Sequence, residues 1–187
     1  LASLGAKVMQ SRSVEFAKKF GVVFEVRSSL NDNPGTIVKE ETKSMEDVVI
    51  RGVSLDKNQA KVTLVAVPDK PGVAARIFKA VGDANVNVDM IVQNISHGSG
   101  SPATDLSFTV DKPDLLKARK VIDDLKAEVG FREVLTDEKI GKLSIVGVGM
   151  KSHTGVAGKM FDTLAKEGVN IGMISTSEIK ISVVIDL

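Results

Sequence analysis

One stretch occurs twice in this chain, and the duplication limits what it can fold into. The first copy runs from Lys61 to Asn94, KVTLVAVPDKPGVAARIFKAVGDANVNVDMIVQN. The second runs from Lys142 to Ser177, KLSIVGVGMKSHTGVAGKMFDTLAKEGVNIGMISTS. Lys61 aligns with Lys142, Val65 with Val146 and Val67 with Val148. After a two-residue insertion, Gly72-Val73-Ala74 aligns with Gly155-Val156-Ala157, and Phe78 with Phe161. Val86-Asn87 aligns with Val169-Asn170, and Met90-Ile91 with Met173-Ile174. A spacing of about 80 residues is too long for a solenoid unit, so the chain holds two copies of one small domain.

Each copy reads as strand, glycine-bearing turn, helix, strand. The β-branched run from Val62 to Val67 suits a half-buried strand. Asp69-Lys70-Pro71-Gly72 stops it, and Pro71 is pre-set for a first helical turn. Val73, Ile77, Phe78 and Val81 then follow at helical spacing, and Gly82 to Asn85 ends the helix. Val86 to Ile95 is a second strand. The second copy predicts a strand over Leu143–Val148, a turn at Lys151–Thr154 and a helix over Val156–Lys166. Gly168 caps that helix, and a strand follows over Val169–Thr176.

A further strand (Asp105–Val110) and a helix opened by Lys112-Pro113-Asp114 follow the first copy, and Phe131–Leu135 closes it. The resulting order, βαββαβ, is the ferredoxin-like arrangement. The second copy continues only through a strand over Lys180–Ile185, and its second helix is absent before Leu187. That points to a chain cut or unfinished at this end. Val48–Leu55 is a strand belonging to neither copy, separated from the first by a turn at Asp56-Lys57-Asn58-Gln59. It needs a sheet to join, and the incomplete second unit would accept it. The fold expected is therefore α+β: two ferredoxin-like units, the first inserted within the second, antiparallel sheets with helices on one face. The units span 60–137 and 46–56 plus 140–187.

Residues 1–44 differ in character. A helix from Ser13 to Phe20, a strand over Val22–Val26, the turn Asn31-Asp32-Asn33-Pro34-Gly35 and an extended piece at Thr36–Val38 cannot bury a core alone. They read as the tail of a larger domain. Lys39–Asp47 is a charged linker.

Composition excludes several functions. Net charge is +1, so nothing draws the chain to nucleic acid or an anionic membrane. With seven Phe and no Tyr or Trp, there is no platform for stacking bases. The absence of Cys removes disulfides and thiolate metal sites, and His97 and His153 lack ligand spacing. No apolar run reaches 18 residues and no signal peptide is visible, so a cytoplasmic protein is expected.

The pair VPDKPGVAARIF…VNVDMIVQNIS and MKSHTGVAGKMF…VNIGMISTSEIKISVVI resembles the two ACT domains of the aspartokinase family. The upstream LGAKVMQSRSVEFAKKF…VRSSLNDNPGT resembles the closing segment of that family's catalytic domain. The resemblance implies an enzyme that phosphorylates the β-carboxylate of aspartate with ATP and Mg, at the head of lysine, threonine and methionine synthesis. It implies feedback inhibition by threonine, lysine or both. The family's His-Pro after GAKV[LM] is Gln10-Ser11 here, and its nucleotide and aspartate motifs have no counterpart. The chain is thus expected to hold no cofactor and to be inactive alone. Some members make the regulatory part separately from an internal start, and Met45 stands where that start would fall. Because the chain begins upstream of Met45, a cut piece of a longer protein is expected.

A free amino acid offers a carboxylate, an ammonium and a side chain. A helix N-terminus supplies unpaired N–H groups for the carboxylate, and each copy has one after a glycine: Gly72-Val73-Ala74 and Thr154-Gly155-Val156. Either could also be simply a well-made strand–helix turn. Asp69 could hold an ammonium or cap the helix. Asp89 sits mid-strand and faces either solvent or ligand. Gln93 suits a hydroxyl or a partner's backbone, or is an exposed strand residue. Glu178, beside Ser177 at a strand turn, could pair with a lysine ammonium or be a solvated charge. His153 reads as an exposed turn residue more readily than a ligand. The family pattern adds Asn170 and Ile171, with Asn87 at the matching place in the first copy. It implies an effector clamped between residues 71–74 of one unit and 170–171 of another, in a homodimer or with a catalytic subunit. The linker 39–47 would pass the signal on. The residues favour threonine at the first-unit site, through Gln93 and the small residues around Gly72. Two other readings remain open: an enzyme in its own right, for which no nucleophile–base pair or phosphate loop is visible, and an assembly module that binds no small molecule.

Overall fold

The computed structural model describes residues 8–40, 50–96, 103–147 and 155–187. Elements run α1 (Ser11–Lys19), β1 (Phe24–Val26), β2 (Thr36–Val38), β3 (Gly52–Pro68), α2 (Val73–Asp83), β4 (Val88–Ser96), β5 (Ala103–Asp111), α3 (Leu115–Val129), β6 (Glu133–Val146), α4 (Val156–Lys166), β7 (Ile171–Thr176) and β8 (Lys180–Asp186). Strands β3 to β8 form one six-stranded antiparallel sheet in the order β4-β5-β3-β6-β8-β7.

Two strands organise it. The sequence predicts a turn at residues 56–59 and two separate strands over 131–135 and 143–148. Instead β3 and β6 are each continuous, pairing from Gly52↔Val146 to Val65↔Glu133. The cause is local: register shifts at Asp56/Gln59 and Gln59/Lys61 absorb the polar residues as a bulge without ending the ladder. Asp56 accepts the Asn58 N–H at 2.9 Å, and Gln59 Nε2 donates to Asp56 at 3.1 Å and Asp111 at 2.7 Å. Val53 and Leu55 lie opposite Ile145 and Leu143, so the first part of β3 serves the second unit's strands and its remainder the first unit's.

The first unit closes over a core of Val62, Leu64, Ile77, Val81, Phe108, Leu115 and Ile122, with α2 and α3 on the same face of the sheet. Phe78 meets Phe108 edge-on, ring centroids 5.5 Å apart. Lys112–Asp114 form a short 3₁₀ turn into α3, and Gly130 ends that helix with φ +83°. The second unit packs α4, through Met160 and Leu164, on Ile145, Ile181, Val183 and Ile185. Its sheet lacks a counterpart of α3 among the described residues. Val53 and Leu55, on that face, are accordingly 62% and 39% exposed.

The helix-free faces of the two units meet. Met90, Ile140, Met173 and Val184 form a third buried cluster, joined by Val92. A Cβ at Gly172 on β7 would lie 3.9 Å from Lys61 Nζ on β3. Residues 8–40 form α1 and a β1–β2 ribbon, and α1 buries none of its residues.

Phe108 is fully buried between both helices of the first unit. Phe108→Ala should lower unfolding free energy in urea by about 3–5 kcal/mol. Val53→Ser, on the bare face, should change it by less than about 0.5 kcal/mol.

Candidate functional site

The first unit's strand–helix turn encloses a cavity of about 350 Å³, lined by residues 67–74 together with Gln93, Thr104 and Leu106. Three local features make it. The first is a bulge in β3 between Leu64 and Val67, where Ala66 takes φ +55°. Asp105 on β5 accepts the Ala66 N–H at 2.9 Å, and the Arg132 N–H bonds the Val65 carbonyl at 2.9 Å. The bulge turns the end of β3 over the sheet. Second, Gly72 stands at the N-cap of α2 with φ +91°, a conformation costly for other residues. No side chain caps this helix, so its first N–H groups face the cavity end without one. Third, β4 pairs with β5 so that Gln93 lies beside Leu106 and projects to the helix side of the sheet.

The site thus offers uncapped helix N–H groups, one carboxylate (Asp69), one ammonium (Lys70), the Gln93 amide, the Thr104 hydroxyl and an apolar floor of Val67, Pro68 and Leu106. Asp69 makes no hydrogen bond with the described residues, so it does not cap α2. In the first turn of α2, the exposed Arg76 guanidinium hydrogen-bonds Glu128 on α3, which raises its pKa above the ordinary arginine value.

Of the residues singled out from sequence, Asp69, Gly72, Val73, Ala74 and Gln93 converge here. Asp89 does not: it ion-pairs with Lys142 of β6 on the helix-free face. Asn87 is exposed just before β4. Gly155 repeats the geometry of Gly72 at the N-cap of α4, with φ +93°, and Val156 packs on the second core. His153, Thr154 and most of the linker 39–47 lie outside the described residues. Asn170 is exposed, and Ile171 pairs with Ile185 and packs on the second core; neither lines the first-unit cavity. Ser177 Oγ accepts the Lys180 N–H at 3.2 Å and so closes the β7–β8 turn, with Glu178 at its exposed tip.

Sequence reasoning missed Thr104, because it began the strand at Asp105, and it missed Leu106, which it placed inside that strand with nothing to mark it as facing the turn. The signal was Asp105 itself, an acid at the start of a β-branched run, which proves to hold the bulge. A larger cavity, about 510 Å³, opens on residues 14–40 and is lined by Val14, Ala17, Val22, Phe24 and Val38. Lys18, Lys39 and Glu40 also line it, but it lies against α1, which buries none of its residues.

The ACT domain family model matches residues 62–125 and 143–187. An aspartate kinase of Pseudomonas fluorescens is 50% identical over 187 residues, covering the whole of this chain and 45% of the relative. The chain belongs to the aspartokinase family, as its tandem-ACT regulatory region. Among solved structures, one of aspartokinase alpha and beta subunits is 50% identical, with a TM-score of 0.67, covering 73% of this chain and 88% of that one. The ligand-free regulatory subunit of aspartate kinase from Thermus thermophilus is 39% identical, with a TM-score of 0.69, covering 74% and 89%. The chain therefore spans less than half the length of the curated aspartokinases it matches. No helix among the described residues is long and apolar enough to cross a membrane.

Gly72→Ala leaves the new Cβ in open space but keeps the left-handed backbone. It should destabilise by about 1–2 kcal/mol. Gly82→Ala, inside α2 and equally unobstructed, should instead stabilise by about 0.5–1 kcal/mol. Thermal denaturation of both variants checks the contrast.

Proposed function

We propose that this chain is the feedback-control module of an aspartokinase and that the first-unit cavity binds a free amino acid. The observation that carries this reading is the convergence of an uncapped helix N-terminus, Asp69 and Gln93 on one small cavity. The helix N–H groups take the carboxylate, Asp69 takes the α-ammonium, and Gln93 with Thr104 reads the side chain. A lysine effector would bring two ammonium groups to a cavity with one lining carboxylate. Its second charge would need another partner. The single carboxylate and the neutral amide favour threonine here.

Asn170 and Ile171 stand away from this cavity within one chain, so a clamp that includes them requires a second copy or a catalytic subunit. We assign residues 60–137 to the first ACT unit and 46–56 plus 140–187 to the second, with 1–44 belonging to the catalytic domain. The parent enzyme would transfer phosphate from ATP to L-aspartate in the cytoplasm. This chain, without nucleotide motifs, would not. Effector preference for one arrangement of the units shifts the population toward it, and the coupling to aspartate binding is reciprocal.

Calorimetric titration tests the reading. L-threonine should bind saturably. Gln93→Ala should weaken it about 3- to 10-fold, and Asp69→Asn by more than about 10-fold. Lysine binding that neither substitution changes would overturn the assignment, and no binding by either amino acid would favour an assembly module.

A further inference from the structure

The helix-free faces, where the two units meet, hold most of the buried polar groups, and several are satisfied within their own unit. Thr109 Oγ1 accepts the Met90 N–H at 3.1 Å in the first unit, and the Ser144 and Ser182 hydroxyls share a bond of 2.8 Å in the second. Lys142 is different. It is 3% exposed, it lies on the part of β6 that pairs with β8, and its carboxylate partner, Asp89, belongs to β4 of the other unit. Asp89 keeps a side-chain exposure of 30%, so the pair runs from the rim into the contact.

The apolar contacts beside this pair are poor at setting an angle. Met90 and Met173 are unbranched thioethers that adapt to many packings, joined by Val92, Ile140 and Val184. Between the units, β3 changes register twice within residues 56–61, a place where a two-stranded connection can bend. A charge-assisted hydrogen bond, in contrast, has a narrow geometry. We propose that Asp89–Lys142 is a latch: it sets the angle at which the two units close on each other about the β3–β6 connection. Its contribution is to uniqueness of arrangement rather than to net stability, because buried ion pairs replaced by apolar groups often leave stability unchanged. The latch does not depend on what the first-unit cavity binds.

The chain has no cysteine, so two labels can be placed without background. Lys79→Cys on α2 and Lys166→Cys on α4 are exposed positions on the outer helices of the two units. Spin labels there report the distance between units by pulsed electron resonance. The unaltered pair should give one narrow distribution. The double substitution Asp89→Leu with Lys142→Met should keep the urea midpoint within about 0.3 M yet broaden or shift the distribution, whereas Asp89→Leu alone should lower the midpoint by about 1 M, because Lys142 is left buried and unpaired. Lys142→Met alone leaves Asp89 at a hydrated rim. It therefore folds whatever becomes of the double variant, and it should broaden the distribution too. An unchanged narrow distribution in Lys142→Met or in the double variant would overturn the proposal, because the strands and apolar contacts alone would then set the angle.

Discussion

The ladder between β3 and β6 is the constraint on which the rest of the structure depends. Both strands run through both units, from Gly52↔Val146 to Val65↔Glu133, so the two units share one continuous sheet. Antiparallel pairing makes this sharing possible, because one long pair can expose different side chains to different cores along its length. Val62 and Leu64 face the first unit's helices, while Val53 and Leu55 line up with the second unit's Leu143 and Ile145. A break in either strand would separate the halves.

A straight six-stranded sheet of this kind would leave one face wet across its full width. Here the two halves fold that face inward, and the helices remain outside. The price is polar burial: Gln59, Lys142, Ser144 and Ser182 lose water together with the methionines. Gln59 shows the tension, since its Nε2 serves two carboxylates while its Oε1 has no partner among the described residues. A contact built in this way is less a hydrophobic core than a fitted joint, with an adaptable apolar middle and directional polar bonds around it.

Much of the architecture was legible because it is carried by period and punctuation. The helix Val156–Lys166 was read to the residue, since glycine precedes it and Gly168 follows its cap. The strand 180–186 and the first-unit helix were nearly as clear. The continuous strands were not legible, because Asp56-Lys57-Asn58-Gln59 carries turn-forming residues and only the partner strand decides that they bulge instead of turning. Site residues divided similarly. Gly72 and Gln93 stand where local backbone geometry and strand alternation put them. Asp89 also obeyed alternation locally, but a bulge between Val88 and Ile91 placed it on the other face, against a lysine 53 positions away in sequence. Long-range pairing of charge leaves no local trace.

The duplication explains why one backbone can support unequal chemistry. Gly72 and Gly155 share a left-handed conformation to within a few degrees, φ +91° and +93°, each opening a helix onto its sheet. Gln93 and Thr176 occupy matching places, beside Leu106 and Ile181 in the neighbouring strands. Glutamine extends two bonds further than threonine and ends in an amide rather than a hydroxyl, so the two units present different groups at the same place on the sheet. The units therefore differ in side-chain length at a backbone position that the two copies share. The scaffold is copied intact while the group presented on it changes by one residue, and the helix-free face of the second unit serves as the surface against which the first is held.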